Sequence, residues 1–294
     1  MIQLLAPFLL TNLDQVPLDL LEKGVRLEAN IFDCNILKNN FTWKLINKNL
    51  TYLQNNYGNV VKGLHFPVEN ANYLEDPNIK EILYRFIDIC TNYQINTLVL
   101  HSNYIKEIES FDKNLINSTR QKFIDLYTEV DIFLNGKDVS IGVENMPIIG
   151  DRGVNFDSIF VFPEDFKNFN FRNIHITWDF GHWAYTCYVM ETLNNFSTKL
   201  TVEKTRFDDY LKLKDQIIAA HFSSFKGTTY PYSNSFCNEG VPPADGDFSP
   251  KTLTSVIKKL KKRKEKMNLT LEIKEKDYSH RENIYKVISW IDKI

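Results

Sequence analysis

Four apolar runs in the chain end on, or deliver, a residue that can ligate a metal. VSIGVE ends on Glu144, IHITWD on Asp179, IIAAH on His221 and LTLE on Glu272. Asp179 is followed three residues later by His182, in WDFGHW. His65 closes VVKGLH, His101 closes NTLVLH, and Glu28 stands inside VRLEANIF. Carboxylates and neutral imidazoles are donors for divalent ions such as Mn2+, Fe2+, Co2+ and Zn2+. A carboxylate at the end of so apolar a run needs a partner, because burying an unpaired charge is expensive. One divalent cation shared by Glu144, Asp179, His221 and Glu272 meets that need.

Each residue also has a plainer explanation. Glu144 or Asp179 could cap the next helix. Glu272 could pair with a lysine of the IKEK stretch, and His221 could be a satisfied core histidine. His65 and His101 are weaker signals taken singly. The recurrence of donors at successive strand ends separates the metal reading from these. His175 and His280 are set aside, the first at the start of its run and the second in a charged helix cap.

The elements that would carry these donors follow from the pattern. Strands are expected at 2–10, 25–32, 60–68, 96–101, 139–144, 174–179, 217–222 and 269–273. Helical spacing covers 18–23, 43–57, 77–93, 115–134, 162–169, 250–266 and 281–291. The strands are continuous apolar runs, as expected when both faces are covered. Eight such units with helices between them predict an α/β fold, a single (β/α)8 TIM barrel spanning residues 1–294 as one domain. An open, doubly wound sheet is the alternative, with its ligand in one crevice. The stretch 227–250 is the longest loop and holds Tyr230, Tyr232 and Phe236, which suggests a functional wall or lid.

Composition sets limits. The 294 residues are 43% hydrophobic and 24% charged, enough to bury a full core. A net charge of −2 argues against a constitutive nucleic-acid binder. The basic run KKLKKRKEK reads as the solvated face of an outer helix. The four cysteines form no CxxC pair and read as reduced thiols of a cytoplasmic protein. MIQLLAPFLL reads as a first strand rather than a signal peptide, and no run is long enough to span a bilayer. The expected partner is a small-molecule substrate, and the sequence is compatible with a homodimer.

The segments RLEAN, GLHFPVE, LVLHSNY, IGVENMP, TWDFGHW, AAHFSSF, PPADGDF and LTLEIK together resemble the xylose isomerase-like TIM-barrel superfamily. That group contains sugar isomerases and epimerases and the endonuclease IV type of DNA-repair enzyme. The likeness runs from the second strand to the eighth. It implies that Glu144, Asp179, His221 and Glu272 are a metal quartet. It implies that His182 matches the histidine that contacts substrate in isomerases and holds a further zinc in the nucleases. His65 and His101 match the pair that holds an additional metal in the nuclease branch. PPADGDF departs by carrying Ala244 where the first glycine is usual. The nuclease branch also has an Asp-x-His pair shortly before that stretch. Here the segment is CNEGVPP, and no histidine occurs between His221 and His280.

The expectation is a divalent-metal-dependent isomerase or epimerase acting on a small sugar-like hydroxy-carbonyl substrate. Glu144 and Glu272 would act as acid and base through a cis-enediolate. His182, His65, His101 and Glu28 would bind substrate. One ion, Mn2+, Zn2+, Co2+ or Fe2+, would sit in the quartet, with His65 and His101 available for a second. The rivals are a two-metal hydrolase or endonuclease-like phosphodiesterase, an iron enzyme acting on a peptide or other non-sugar substrate, and a non-catalytic ligand-binding barrel.

Overall fold

A computed structural model describes residues 2–192, 205–229 and 236–294. Eight parallel strands close into a barrel: β1 (Ile2–Leu9), β2 (Arg26–Asn30), β3 (Val61–His65), β4 (Thr97–Leu100), β6 (Ser140–Glu144), β8 (Ile174–Asp179), β9 (Ile217–His221) and β12 (Met267–Thr270). Their order around the ring is β1-β12-β9-β8-β6-β4-β3-β2. The barrel is closed, so the open-sheet alternative does not apply. β1 makes the closure with its two halves: Ile2 to Leu5 pair with β12, and Leu5 to Leu9 pair with β2. That offset is the stagger a tilted, closed sheet requires.

The helices form where spacing and caps agree. Helix α1 is Leu18–Glu22. Helix α2 (Asn40–Tyr57) starts where Asn39 accepts a hydrogen bond from the Phe41 amide, and it stops at Gly58, whose φ is +70°. Helix α3 (Pro77–Asn92) is opened by Asp76 and by Pro77, whose missing N–H costs nothing at that position. Its buried face, with Ile79, Leu83, Phe86, Ile87 and Cys90, packs on the barrel. Helices α4 (Lys113–Phe133), α5 (Phe180–Thr192), α6 (Pro250–Lys261) and α7 (Glu282–Asp292) complete the outer layer. Trp178 is fully buried and stacks on Tyr210, with ring centroids 5.4 Å apart.

The structure departs from the sequence expectation in several places. Helix α6 ends at Lys261 rather than near 266, so the rest of the basic run turns toward β12. Residues 162–169 form only a 3-10 turn, Pro163–Phe166. The stretch 227–250 is not all loop: β11 (Asn238–Val241) pairs antiparallel with β10 (Ser224–Lys226). A second ribbon joins β5 (Lys106–Glu107) to β7 (Asn155–Phe156). The basic run is solvent-facing, and all four cysteines are buried and unpaired. Among the described residues, no helix is long and apolar enough to cross a membrane.

Candidate metal centre

His65, Glu144, Asp179 and His221 are each the last residue of a barrel strand. His101 stands one residue past β4, and Glu272 two past β12. Asp179 lies directly beside His221 across the β8–β9 pair. In-phase parallel strands deliver these ends to one rim. The ligand atoms of Glu144, Asp179, His221 and Glu272 all lie within 4.8 Å of one another. Two overlapping sets meet the same criterion: His65, His101 and Glu144, and His65, His221 and Glu272.

Glu144 is the hub and is 0% exposed. Its Oε2 lies 3.1 Å from His221 Nδ1, 3.3 Å from His101 Nε2 and 3.4 Å from His65 Nε2. Its Oε1 lies 3.3 Å from His182 Nδ1. Glu272 Oε1 lies 3.2 Å from His221 Nδ1. Yet neither oxygen of Glu144 and neither nitrogen of His221 makes a well-directed hydrogen bond. Buried polar atoms left without one are costly. Donors that crowd a common point without bonding one another are what a divalent cation satisfies, so this donor set fits one.

The electrostatics agree. Burial pushes the Glu144 carboxyl up, but His221 and His101 beside it hold it well below the usual carboxylate range. Burial opposes a charge on His221, and Glu144, Glu272 and Glu28 overcome it to lift His221 well above the imidazole range. Burial, with the charges of Glu144 and Glu272 added, pushes Asp179 up to about 7. Burial also raises Glu272, reinforced by Glu144. His101 is pushed down to about 4 by burial, with His65 and His182 contributing. His182 rises to about 9: burial resists, and Asp179, Glu239 and Glu144 prevail. Protons distributed among so many acids and imidazoles occupy the place a bound cation would take.

The surroundings fix the donors. Asp179 Oδ1 accepts from the His182 amide at the start of α5, so Asp179 caps that helix and still turns Oδ2 toward His221, 3.9 Å away. The Asn145 side chain clasps the Asp179 peptide from both sides, at 2.8 and 3.1 Å. His182 Nδ1 donates to the Asn145 carbonyl at 2.9 Å, which leaves Nε2 as the free nitrogen. His65 Nδ1 donates to the Phe66 carbonyl, leaving Nε2 toward Glu144. The His101 carbonyl is held by Tyr73, whose hydroxyl also bonds Tyr127.

Glu28, expected to touch substrate, stands elsewhere. It is 1% exposed and is not part of the cavity lining. Its Oε1 faces His221 Nε2 at 3.2 Å, and its Oε2 accepts from Thr270 Oγ1 at 2.8 Å. The space for it exists because residue 63 is glycine: a Cβ there would sit 2.7 Å from Oε2.

A cavity of about 380 Å³ opens over the donors, within the usual range for small-molecule sites. His65, His101, Glu144, Asp179, His182 and Glu272 all line it. So does Glu239 on β11, which sequence reasoning did not single out. Its Oε2 lies 3.8 Å from His182 Nε2. The available signal was the acid in CNEGVPP, the segment where an Asp-x-His pair was sought. Tyr230 and Tyr232 lie outside the described residues. Phe236 is exposed and does not line the cavity. The structure is thus a TIM barrel with a cluster of His, Glu and Asp side chains suited to hold a divalent metal.

No family model matches the chain, and no curated protein matches it by sequence. Solved structures match over nearly the whole length. The TTHB071 protein from Thermus thermophilus, from a crystal soaked in ZnCl2, is 13% identical with a TM-score of 0.62, over 99% of this chain and 96% of that one. The 3-keto-D-glucoside 4-epimerase YcjR from E. coli is 10% identical with a TM-score of 0.61, over all of both chains. Endonuclease IV from Thermus thermophilus is 11% identical with a TM-score of 0.53, over 99% of this chain and all of that one. At such identities the similarity is one of fold. The shared fold is a closed (β/α)8 barrel.

Proposed function

We propose that the chain is a divalent-metal-dependent isomerase or epimerase of the xylose isomerase-like superfamily, acting on a small hydroxy-carbonyl substrate. The observation that carries this reading is the pairing of Glu144 and Glu272 in one donor set beneath one cavity. Glu144 forms the buried floor, and Glu272, 32% exposed, stands at the mouth. A divalent ion held by Glu144, Asp179, His221 and Glu272 would supply Lewis acidity to a substrate carbonyl and hydroxyl. A carboxylate oxygen of Glu272 takes a proton from the carbon next to the carbonyl. Glu144, which receives a proton from the imidazolium of His182, whose Nδ1 lies 3.3 Å from its Oε1, returns one on the other side. The raised proton affinity of Glu272 suits it to the first role. His182, anchored through Nδ1, offers Nε2 to a substrate hydroxyl. The test is deuterium wash-in from D2O across a panel of ketoses and aldoses, followed by NMR. Glu144→Gln and Glu272→Gln should each lower exchange by roughly 100-fold or more. Near-normal exchange in either folded variant sinks the two-carboxylate scheme.

A two-metal hydrolase is the second reading. It is favoured by the set His65, His101 and Glu144, which shares Glu144 with the quartet as a bridging carboxylate would. Two ions per chain, with cleavage of an abasic-site duplex, would establish it over the isomerase.

A further inference from the structure

The cavity is lopsided. Its ionisable groups come from β3, β6 and β8, from the residue after β4, from α5 and β11, and from the segment just after β12. The remaining arc is mostly apolar: Phe8 and Leu9 at the end of β1, Phe32 after β2, Val68 after β3, and Ile273 and Tyr278 after β12, with Gln15, Asn30 and Lys274 as its polar members. This arc adjoins the metal donors, so the part of a substrate beyond its chelating group would lie over it. Phe32 is the telling member. It is 54% exposed although it lies in an apolar segment. It is not loosely held: its carbonyl accepts from the amides of both Val68 and Glu69, at 2.9 and 2.8 Å, and Asp33 bridges to Glu69. The backbone clasp therefore fixes Phe32 beside Val68 at the rim, with an aromatic face turned to solvent. A rigid apolar rim next to a polar floor is suited to a ligand with two ends.

The charges narrow the class. Glu144, Asp179, Glu239 and Glu272 line the cavity. Among the described lining residues, Lys274 is the one lysine or arginine. A phosphate or carboxylate tail would meet several carboxylates and no guanidinium fork, the group that best recognises such anions.

Resting on the reading of a metal that chelates a hydroxy-carbonyl group, we infer that the substrate carries that group on a neutral, apolar arm lying across Phe32, Val68 and Tyr278. The substrate is then an aryl- or alkyl-substituted hydroxy-carbonyl compound and not a sugar phosphate.

Three hydroxamates test this, because the hydroxamate chelates as a hydroxy-carbonyl does. Acetohydroxamate has no arm, phenylacetohydroxamate has an apolar one, and phosphoglycolohydroxamate has an anionic one. Each is titrated calorimetrically into the full chain loaded with Co2+, with metal content measured in parallel. The phenyl arm should tighten binding over acetohydroxamate about tenfold or more, the gain expected from covering one aromatic ring. The phosphate arm should bring no gain. In Phe32→Ala the phenyl-to-acetyl ratio should drop below about threefold. A phosphate arm that binds better than the phenyl arm overturns the inference and assigns the rim to Lys274. So does a phenyl gain that survives Phe32→Ala. A metal-loaded chain that binds all three alike refutes the apolar arm and leaves the metal reading standing. A chain that takes up no metal fails in the metal measurement, which refutes the underlying reading.

Discussion

Glu28 separates two ways a buried carboxylate can serve a metal. It sits behind His221, opposite the nitrogen that faces Glu144 and Glu272. A carboxylate 3.2 Å from Nε2 favours the proton on that nitrogen by its charge and leaves Nδ1 for the ion, the arrangement that orients many ligating histidines. Glu28→Gln should therefore weaken metal affinity by roughly 10- to 100-fold, read by competition with a fluorescent chelator. An unchanged affinity would mean that His221 needs no orienting. Sequence reasoning set Glu28 against substrate, and in the structure its neighbours are His221 and Thr270. A strand position tells which face a side chain takes, not whether a histidine from another strand stands between it and the cavity. Glu239 was missed for a related reason. NEGV carries no apolar run, so nothing in it announces a strand that reaches over the site.

At the scale of elements, the segment after β4 depends on Asp157. This buried carboxylate accepts from Ser102 Oγ and from the Tyr104 amide, and so ties the residues following His101 to the β7 ribbon. Burial outweighs these bonds and pushes Asp157 up to about 6, from an ordinary 3.8. The folded chain thus holds this proton more tightly than the unfolded one. The contribution to stability is full below pH 3.8 and is lost as pH rises through about 6. The difference amounts to about 3 kcal/mol at most. Urea unfolding of the wild type and Asp157→Asn should show the cost of the substitution shrinking between pH 4 and pH 8. A cost that does not vary with pH contradicts the burial argument. The cap of α3 offers a simpler check: Asp76→Ala should cost about 1 kcal/mol in the same assay.

At the scale of the molecule, binding of a metal to the folded barrel alone must stabilise it. At one hundred times Kd the gain is about 2.7 kcal/mol, so a chelator should lower the Tm by roughly 5 °C or more. A Tm indifferent to chelation and to added Mn2+, Co2+ or Zn2+ would remove the ion from the account. The barrel itself was legible because most of its eight strands are short, largely apolar runs separated by helical patterns, and covering both faces of a parallel sheet demands such runs. The donors were legible because they interrupt apolar sequence at its ends. The ribbons were not, since a two- to four-residue strand has too few side chains to show a period.

The closure of β1 against β12 has a consequence in time. Glu28 meets Thr270 across 242 residues of chain, and Glu272 joins donors translated long before it. While the ribosome is still working through α6, the nascent protein has Glu144, Asp179 and His221 but neither the fourth donor nor the strand that seals the ring. An ion met at that stage would find an open, three-donor half-site. An ion held by all four donors would therefore be bound only once the ring has shut.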